Sequence, residues 1–253
     1  MNTSEFLNIT SLIVPDRTAI IFDGKRITYS DLALRVARLA NALRDLGVNS
    51  GDRIATMEVN CNEHIEAYFA AAKLDAIYVP VNFRATESEL EYMLKDSSPT
   101  VLLAGSRYTD MIELISAKVE SLKALIVIDG TADGWHTYDQ IVSSALDDEM
   151  FPESDDDDLT MLMFTAGTTG FPKGVMLSHD SFSSYILSNV SPPDMDVEEK
   201  NILTVPLYHI AGVQAVMAAV YGGRTLIIQR QFEPVEWMTL VEQEKANRAM
   251  MVP

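Results

Sequence analysis

The sequence is short of several features that would place it in other classes of protein. Cys61 is its only cysteine, which excludes an intrachain disulfide and a multi-cysteine metal site and is typical of a reducing environment. No apolar run reaches the roughly 20 residues that a membrane-spanning helix needs. The N-terminal stretch lacks a basic start and a long apolar patch, so a secretory signal is not predicted. We therefore expect a cytoplasmic protein without a transmembrane segment.

Basic residues are also scarce, with 19 lysines and arginines against 37 aspartates and glutamates and a net charge of -18. A surface of this sign repels nucleic acids and anionic membranes, so we expect neither as a partner. Many of the acids lie in residues 147–158, DDEMFPESDDDD, which contain no basic residue. Contiguous aspartates repel one another and lack the spaced ligands and turn glycine of a calcium loop. We interpret this tract as a solvated linker.

Apolar residues make up 47% of the chain, and they are arranged in alternating strand and helix patterns. Two β-rich runs flank Asp23 and Gly24, as in a hairpin, and capping-box patterns at Thr28 and Thr86 precede helical periodicity. The runs TVLLA and ALIVI are typical of buried parallel strands. This alternation predicts a layered α/β fold. We divide the chain into a first α/β subdomain, a linker and a second, incomplete α/β subdomain at residues 1–146, 147–158 and 159–253.

The stretch MLMFTAGTTGFPKGVMLSH, from Met161 to His179, places a loop rich in glycine and threonine between two strand-like runs. Its glycines permit positive φ and a close approach to an anion, and consecutive N–H groups can form a nest for phosphate oxygens. A threonine hydroxyl could complete a magnesium shell, and the lysine supplies a charge for a β- or γ-phosphate. The predicted triphosphate contacts are Thr165, Ala166, Gly167, Thr168, Thr169, Gly170 and Lys173, with Thr169 as the metal ligand.

The loop does not have the spacing of a Walker-type phosphate loop, G-x-x-x-x-G-K-[ST]. Pro172 precedes the lysine where glycine is required, and Gly174 follows it where serine or threonine is required. The next residues, GVMLS, are typical of a strand, so we expect no helix N-terminus behind the phosphates. On composition alone, a plain turn with a surface lysine remains open.

The residues FTAGTTGFPKGVMLSH resemble the phosphate-loop signature of the adenylate-forming enzymes, T-S-G-T-T-G-x-P-K-G-V. This superfamily includes acyl- and aryl-CoA synthetases, luciferases and peptide-synthetase adenylation domains. Ala166 stands where serine is common, which removes one hydroxyl donor. The residues TVPLYHIAG, Thr204 to Gly212, resemble a second signature whose histidine lies by the acyl pocket and the α-phosphate. The resemblance carries this role to His209, with Tyr208 as its aromatic neighbour, and it spans Ile13 to Pro253.

The resemblance implies a two-step ligase that uses ATP, Mg²⁺ and coenzyme A. A carboxylate attacks the α-phosphorus of ATP to give acyl-adenylate and pyrophosphate, and the coenzyme A thiol then displaces AMP. Lys173 and His209 are the expected catalytic residues. Three small residues, Ala211, Gly212 and Ala215, would leave room for an aliphatic chain, which favours a fatty or other hydrophobic acid. Two alternatives stay open: an adenylating enzyme with a different acceptor, and a non-catalytic nucleotide-binding protein of the same fold.

Members of this superfamily are considerably longer than 253 residues. Their later signatures are an adenine loop with a magnesium-binding glutamate, an aspartate for the ribose hydroxyls, and a mobile C-terminal domain with a catalytic lysine. We find none of these here, so we expect an N-terminal part of such an enzyme, truncated before its last subdomains and inactive alone. The expected partners are a small-molecule carboxylic acid and ATP, and assembly into a homo-oligomer is left open. Four residues are expected to take no part in the chemistry: Cys61, His64, His136 and His179.

Overall fold

The computed structural model describes residues 1–165 and 170–250, which form two β-sheets and the helices that cover them. The strands are β1 (Thr18–Phe22), β2 (Lys25–Thr28), β3 (Arg53–Met57), β4 (Ile77–Pro80), β5 (Val101–Ala104), β6 (Ala124–Val127), β7 (His136–Thr137), β8 (Leu159–Thr165), β9 (Lys173–Ser178), β10 (Lys200–Leu203), β11 (Thr225–Ile228) and β12 (Arg248–Ala249). The helices are α1 (Ser4–Ile13), α2 (Tyr29–Asp45), α3 (Asn62–Lys73), α4 (Glu87–Ser97), α5 (Thr109–Ser116), α6 (Tyr138–Ser144), α7 (His179–Asn189), α8 (Ile210–Tyr221) and α9 (Pro234–Glu244). The layered α/β fold predicted from the sequence is confirmed.

The larger sheet has seven strands in the order β7-β6-β5-β3-β4-β8-β9, and its pairs are parallel except for the β8–β9 hairpin. From β3 the chain first adds β4 on one side and then crosses back to add β5 on the other. Helix α3 packs into the core between the two sheets, whereas α4 packs into a separate core on the opposite face. The winding therefore reverses between β3 and β5, which makes this pair the topological switch point of the sheet.

The smaller sheet has five strands in the order β12-β10-β11-β1-β2. Strands β1 and β2 form the predicted hairpin, and both turn residues, Asp23 and Gly24, have positive φ. On its other side β1 pairs in parallel with β11, where Ile20 lies opposite Leu226. Both sheets thus combine strands from before and after the acidic tract. The subdomain boundaries drawn from the sequence stay a prediction.

Local signals in the sequence determine where several helices begin. Thr28 and Thr86 both form complete capping boxes, with Asp31 and Glu89 as the reciprocal partners, as predicted. Helix α1 is different, because Thr3 makes no side-chain cap bond and its hydroxyl instead contacts Tyr68 and His179. No local pattern in the sequence predicts this helix. None of the described helices has the length and hydropathy required to cross a bilayer.

The acidic tract runs over the surface with its aspartates exposed, and its role as a linker stays a prediction. Its backbone is nevertheless held in place. The N–H groups of Glu153 and Ser154 donate to the Asp75 carboxylate at 2.7 and 3.2 Å, and the Asp158 carbonyl accepts from the His179 N–H at 3.0 Å. Among the described residues, no group of three or more potential ligands could hold a metal ion. The tract therefore acts as a fixed strap between the elements on either side of it.

Candidate active site

The predicted phosphate loop connects β8 to β9, and these strands pair antiparallel with Thr165 opposite Lys173. The Thr165 hydroxyl donates to the Lys173 carbonyl at 3.4 Å, which helps to close the base of the hairpin. Four of the predicted contacts, residues 166–169, lie outside the described residues. Gly170 has a φ of +119°, a conformation that other residues rarely adopt. A strand, β9, follows the loop directly, as predicted.

Lys173 is the first residue of β9, and its side chain is exposed. It forms no ion pair with any residue in the described ranges. The neighbouring Phe171 stacks on Tyr92 of α4, with ring centroids 4.6 Å apart and planes inclined by 22°. This contact anchors the end of the loop that precedes Lys173.

The topology brings the two sequence motifs to one region of the molecule. Strand β8 lies parallel to β4, so the loop after Thr165 leaves the sheet at the same edge as the residues after β4. There Phe83 makes an edge-on contact with Tyr208, at a centroid distance of 5.5 Å. Tyr208 belongs to the segment that follows β10 in the other sheet. Carboxyl ends of parallel strands are where open α/β sheets bind ligands.

His209 is exposed and caps the N-terminus of α8. Its Nδ1 accepts a hydrogen bond from the Ala211 N–H at 3.2 Å. Because Nδ1 is then the acceptor, the neutral ring carries its proton on Nε2, which is left as a hydrogen-bond donor. The positive end of the α8 dipole lies behind the ring and favours negative charge there. The Nε2–H is thus available as a donor, and the role of His209 toward a carboxylate or the α-phosphate stays a prediction.

The segment that carries His209 is held by Asn60, a residue that the sequence analysis missed. Asn60 is buried just after β3, and its amide donates to the carbonyls of Val205 and Gln229 at 3.2 Å each. Its side-chain oxygen accepts from the Leu207 N–H at 2.9 Å. One side chain therefore ties the larger sheet to the ends of β10 and β11. Its signal in the sequence is the pair of asparagines in EVNCN, directly after the apolar residues of β3.

The small residues of α8 do not all leave free space. A Cβ at Gly212 would lie 2.3 Å from the Pro206 carbonyl oxygen, so this glycine allows the helix to pack against the loop before it. The apolar cavity lined by Val213, Val216 and Met217 measures about 20 Å³. Gly212 therefore serves the packing of the loop, which corrects the expectation that it makes room for an aliphatic chain. The contribution of Ala211 and Ala215 stays a prediction.

A larger cavity of about 410 Å³ lies beside Tyr208, at the carboxyl ends of β4, β10, β11 and β12. Apolar side chains, among them Phe83, Val205 and Phe232, line it together with Arg84 and Arg230. Arg230 is paired with Asp23, so Arg84 is the lining cation without an ion pair in the described ranges. Apolar walls with one such cationic group suit a hydrophobic molecule with a negatively charged head group.

The buried histidines belong to the core. His64 hydrogen-bonds the Tyr78 hydroxyl at 2.6 Å through Nδ1 and the Glu58 carbonyl at 2.9 Å through Nε2. His179 accepts from the Thr3 N–H at 3.1 Å. Burial lowers the pKa of both imidazoles to about 4, so both are neutral at pH 7. Burial also raises the pKa of the Cys61 thiol, which makes it a poor nucleophile.

Comparison with known proteins identifies the family. A family model described as "AMP-binding enzyme" matches residues 13–253. The chain belongs to this family. The AMP-binding match covers the phosphate loop, Asn60, Tyr208 and His209. The recognition of an adenylate-forming enzyme from its sequence motifs is thereby confirmed.

Relatives in the AMP-binding family include several acid–CoA ligases. A feruloyl-CoA synthase of Amycolatopsis sp. is 34% identical over 94% of this chain and 46% of its own length. The long-chain-fatty-acid–CoA ligase FadD13 of Mycobacterium tuberculosis is 32% identical over 90% of this chain and 44% of its own length. The inhibitor-bound N-terminal domain of FACL13 from M. tuberculosis superposes with a TM-score of 0.89 at 29% identity, covering all of this chain and 63% of that one. The chain spans about half the length of the curated relatives it matches.

Proposed function

We propose that this chain contributes the phosphate loop to the ATP-dependent activation of a carboxylic acid, followed by transfer of the acyl group to coenzyme A. The observation that carries the proposal is the β8–β9 hairpin. It carries the family's phosphate-loop sequence and the exposed Lys173, at the end of the sheet where Phe83 contacts Tyr208, the neighbour of His209. Because similar relatives act as acid–CoA ligases, we place coenzyme A ahead of other acceptors.

In the proposed first step, a carboxylate oxygen attacks the α-phosphorus of ATP. The bond between the α-phosphorus and the oxygen that bridges it to the β-phosphate breaks. Pyrophosphate leaves with the bonding electrons, and acyl-adenylate remains. Lys173 and the loop N–H groups stabilise the charge that develops on the leaving group. The His209 Nε2–H orients the attacking carboxylate and the α-phosphate. In the second step the coenzyme A sulfur attacks the acyl carbonyl, the thiol proton is lost, and AMP leaves.

Magnesium is part of the proposal because ATP-using sites bind it through phosphate oxygens and water, with one or two protein ligands. Within the described ranges no cluster of three acidic, histidine or cysteine ligands exists. A phosphate-held ion that needs a single threonine hydroxyl fits this donor set better than a dedicated metal cage. We therefore keep Thr169, outside the described residues, as its proposed ligand.

We propose a hydrophobic acid as the substrate, with the 410 Å³ cavity beside Tyr208 as the place where it enters. The relatives named above are a feruloyl-CoA synthase and a long-chain-fatty-acid–CoA ligase. An exchange assay between ATP and radioactive pyrophosphate, with a panel of aryl and fatty acids, would identify the acid. The assay requires a protein in which this chain is followed by a segment equivalent to the second half of the relatives. Hydroxamate trapping would detect adenylate, and thioester would form only if coenzyme A is the acceptor.

Replacing Lys173 by alanine tests the phosphate role in the 253-residue chain itself. We expect Mg-ATP affinity, measured by titration calorimetry, to fall by about tenfold or more, because a hydrogen bond to a charged group contributes roughly 1.5–3 kcal/mol. The control is Lys118→Ala, which removes an exposed lysine paired with Glu91 on the α4–α5 side of the molecule. Equal ATP affinity in the two variants would refute the role assigned to Lys173.

A further inference from the structure

A second cavity, of about 550 Å³, lies at the switch point of the seven-stranded sheet and has no part in the proposed reaction. Its lining includes Glu58 after β3 and Asp129 after β6, and the β1–β2 hairpin of the other sheet covers it. The crevice at a switch point is where the strand ends diverge and leave room for a ligand. We refer to this space as the switch-point cavity.

Glu58 is an incompletely paired acid in the wall of the switch-point cavity. Its side chain is 3% exposed. One carboxylate oxygen accepts from the Val59 N–H at 2.7 Å and lies 3.2 Å from the Arg107 guanidinium. The other oxygen, Oε2, is buried and has no hydrogen-bond partner among the described residues. A buried oxygen without a partner costs roughly 1–3 kcal/mol, and a ligand that donates to it would recover that energy.

The backbone is built around this carboxylate. A Cβ at Gly105 would lie 1.4 Å from Glu58 Oε2, so residue 105 must be glycine while Glu58 keeps its position. Next to it, the Ser106 N–H donates to Asp129 at 2.7 Å and holds that carboxylate at the rim. Burial raises the pKa of Glu58, and the nearby Arg107 and Arg230 guanidinium groups oppose this shift only in part.

The basic residues of the cavity wall are largely neutralised by other acids. The ion pairs are Arg26 with Glu244, Arg35 with Glu66, and Arg230 with Asp23. Lys25 is the one lining cation that forms no ion pair with a residue in the described ranges.

The acids of the wall are less well neutralised. Glu63, Asp129 and Asp139 line the cavity and form no ion pair within the described part of the chain, in addition to the open oxygen of Glu58. Unpaired negative charge therefore exceeds unpaired positive charge, in a protein whose net charge is already -18. The described carboxylates do not converge as metal ligands. This arrangement suits a cation that donates directed hydrogen bonds at several points, and disfavours a compact metal ion.

We propose that the switch-point cavity binds a small organic amine in its protonated form, with the ammonium group donating to Glu58 Oε2. Amines of this kind occur as alkyl diamines and as free amino acids, so the experiment uses one probe of each. Putrescine presents ammonium groups alone, whereas L-alanine adds a carboxylate that could pair with Lys25. The proposal does not depend on the acid–CoA ligase function.

The test is a nuclear magnetic resonance titration of the 15N-labelled chain with putrescine and, separately, with L-alanine. We expect at least one probe to shift the amide signals of Val59, Gly105 and Ser106. The substitution Glu58→Gln should weaken binding about tenfold. Its matched control is Glu113→Gln, which removes the same charge from an exposed site on α5. Equal affinities in these two variants, or no shift of the three signals with either probe, would overturn the proposal.

A second pair of variants keeps the proposal testable if Glu58→Gln does not fold. The substitution Lys25→Ala lies in the exposed β2 strand and removes the unpaired cation from the wall. It should strengthen putrescine binding about two- to threefold, since like charges no longer repel. Lys95→Ala makes the same change of net charge on α4, outside the cavity, and should leave the affinity unchanged. A Lys25→Ala protein that binds putrescine no more tightly than Lys95→Ala would contradict the proposal.

Discussion

Asn60 shows how one buried amide can fix a functional segment. Its three hydrogen bonds reach Val205, Leu207 and Gln229, which lie in the loops after two strands of the smaller sheet. Asn60 itself follows β3 of the larger sheet. The position of His209 therefore depends on a residue that is far away in sequence and has no chemistry of its own.

We expect Asn60→Ala to lower the free energy of unfolding by about 1–3 kcal/mol, because it leaves buried backbone groups without partners. Urea denaturation would measure this change. Asn49→Ala is the control, since Asn49 is exposed and its side-chain amide donates only to the nearby Gly47 carbonyl in the described structure. If both variants unfold at the same urea concentration, Asn60 does not hold the loop as described.

Residue-level predictions from the sequence succeeded where the cause was local. The capping boxes at Thr28 and Thr86 need only a hydroxyl and a carboxylate three residues later, and both are confirmed. The role of Gly212 was wrong because its constraint comes from the Pro206 carbonyl, which reaches it only after the loop folds back on α8. The functional roles of Lys173 and His209 stay predictions.

At the scale of elements, the β8–β9 hairpin explains why the phosphate loop differs from a Walker-type loop. The antiparallel partner β9 begins at Lys173 itself. Pairing with β8 therefore holds the Lys173 backbone in place, and with it the position of the Lys173 Cβ. In a Walker-type loop a helix N-terminus supplies part of the binding. Here a strand follows, so in the proposed phosphate site the loop N–H groups, the hydroxyls and the lysine would supply the positive potential. The sequence predicted this element correctly because the run GVMLS is strongly β-like.

Helix α1 was not predicted from the sequence, since its stability comes from its contacts with other elements. Phe6, Leu7 and Thr10 are buried, and the Thr10 hydroxyl donates to the Val220 carbonyl at the end of α8 at 2.8 Å. The N-terminal end is held by Thr3, whose N–H donates to the His179 ring. Short helices gain most of their stability from tertiary packing, which a local pattern does not reveal.

We expect the contact with His179 to make the docking of α1 sensitive to pH. Burial lowers the pKa of His179 to about 4, against opposing effects of Asp75, Asp156 and Asp158. Between about pH 4 and 6.5 the unfolded state binds more protons than the folded state, so stability falls as the pH is lowered through this window. Each unit of pKa lowering corresponds to about 1.4 kcal/mol. His64 has a similarly lowered pKa and adds to the effect.

We expect His179→Asn to reduce the loss of stability between pH 7 and pH 5, because an asparagine oxygen can still accept from the Thr3 N–H without a proton to gain. Guanidinium denaturation across this pH range is the measurement. His136→Asn is the matched control at an exposed histidine, and it should follow the wild-type pH dependence. Parallel curves for the two variants would show that His179 does not contribute to the acid sensitivity.

At the scale of the whole molecule, the net charge of -18 opposes folding through self-repulsion. The acidic tract concentrates this charge on a strap whose backbone is bound to Asp75 and to the start of α7. The backbone contacts keep the tract in place, but this position gives the exposed aspartate side chains little stabilisation. Electrostatic repulsion within the strap should therefore respond to salt.

We expect the double substitution Asp147→Asn and Asp157→Asn to raise the melting temperature at low salt. These two side chains make no hydrogen bond to the described residues, so the change removes charge alone. At about 1 M salt the Debye length is roughly 3 Å, and the difference from wild type should largely disappear. Differential scanning calorimetry at both salt concentrations measures it. A stabilisation that is the same at low and high salt would rule out the electrostatic explanation.

The sequence by itself determined the local elements and the family. The hairpin around Asp23, the two capping boxes and the loop before Lys173 are encoded within short segments, so patterns of a few residues were sufficient. The tertiary structure alone decided the pairing of β1 with β11, the bridge made by Asn60 and the switch-point cavity around Glu58. Each of these brings together segments that are distant in the chain. Their association depends on packing and register across two sheets, which no local pattern specifies.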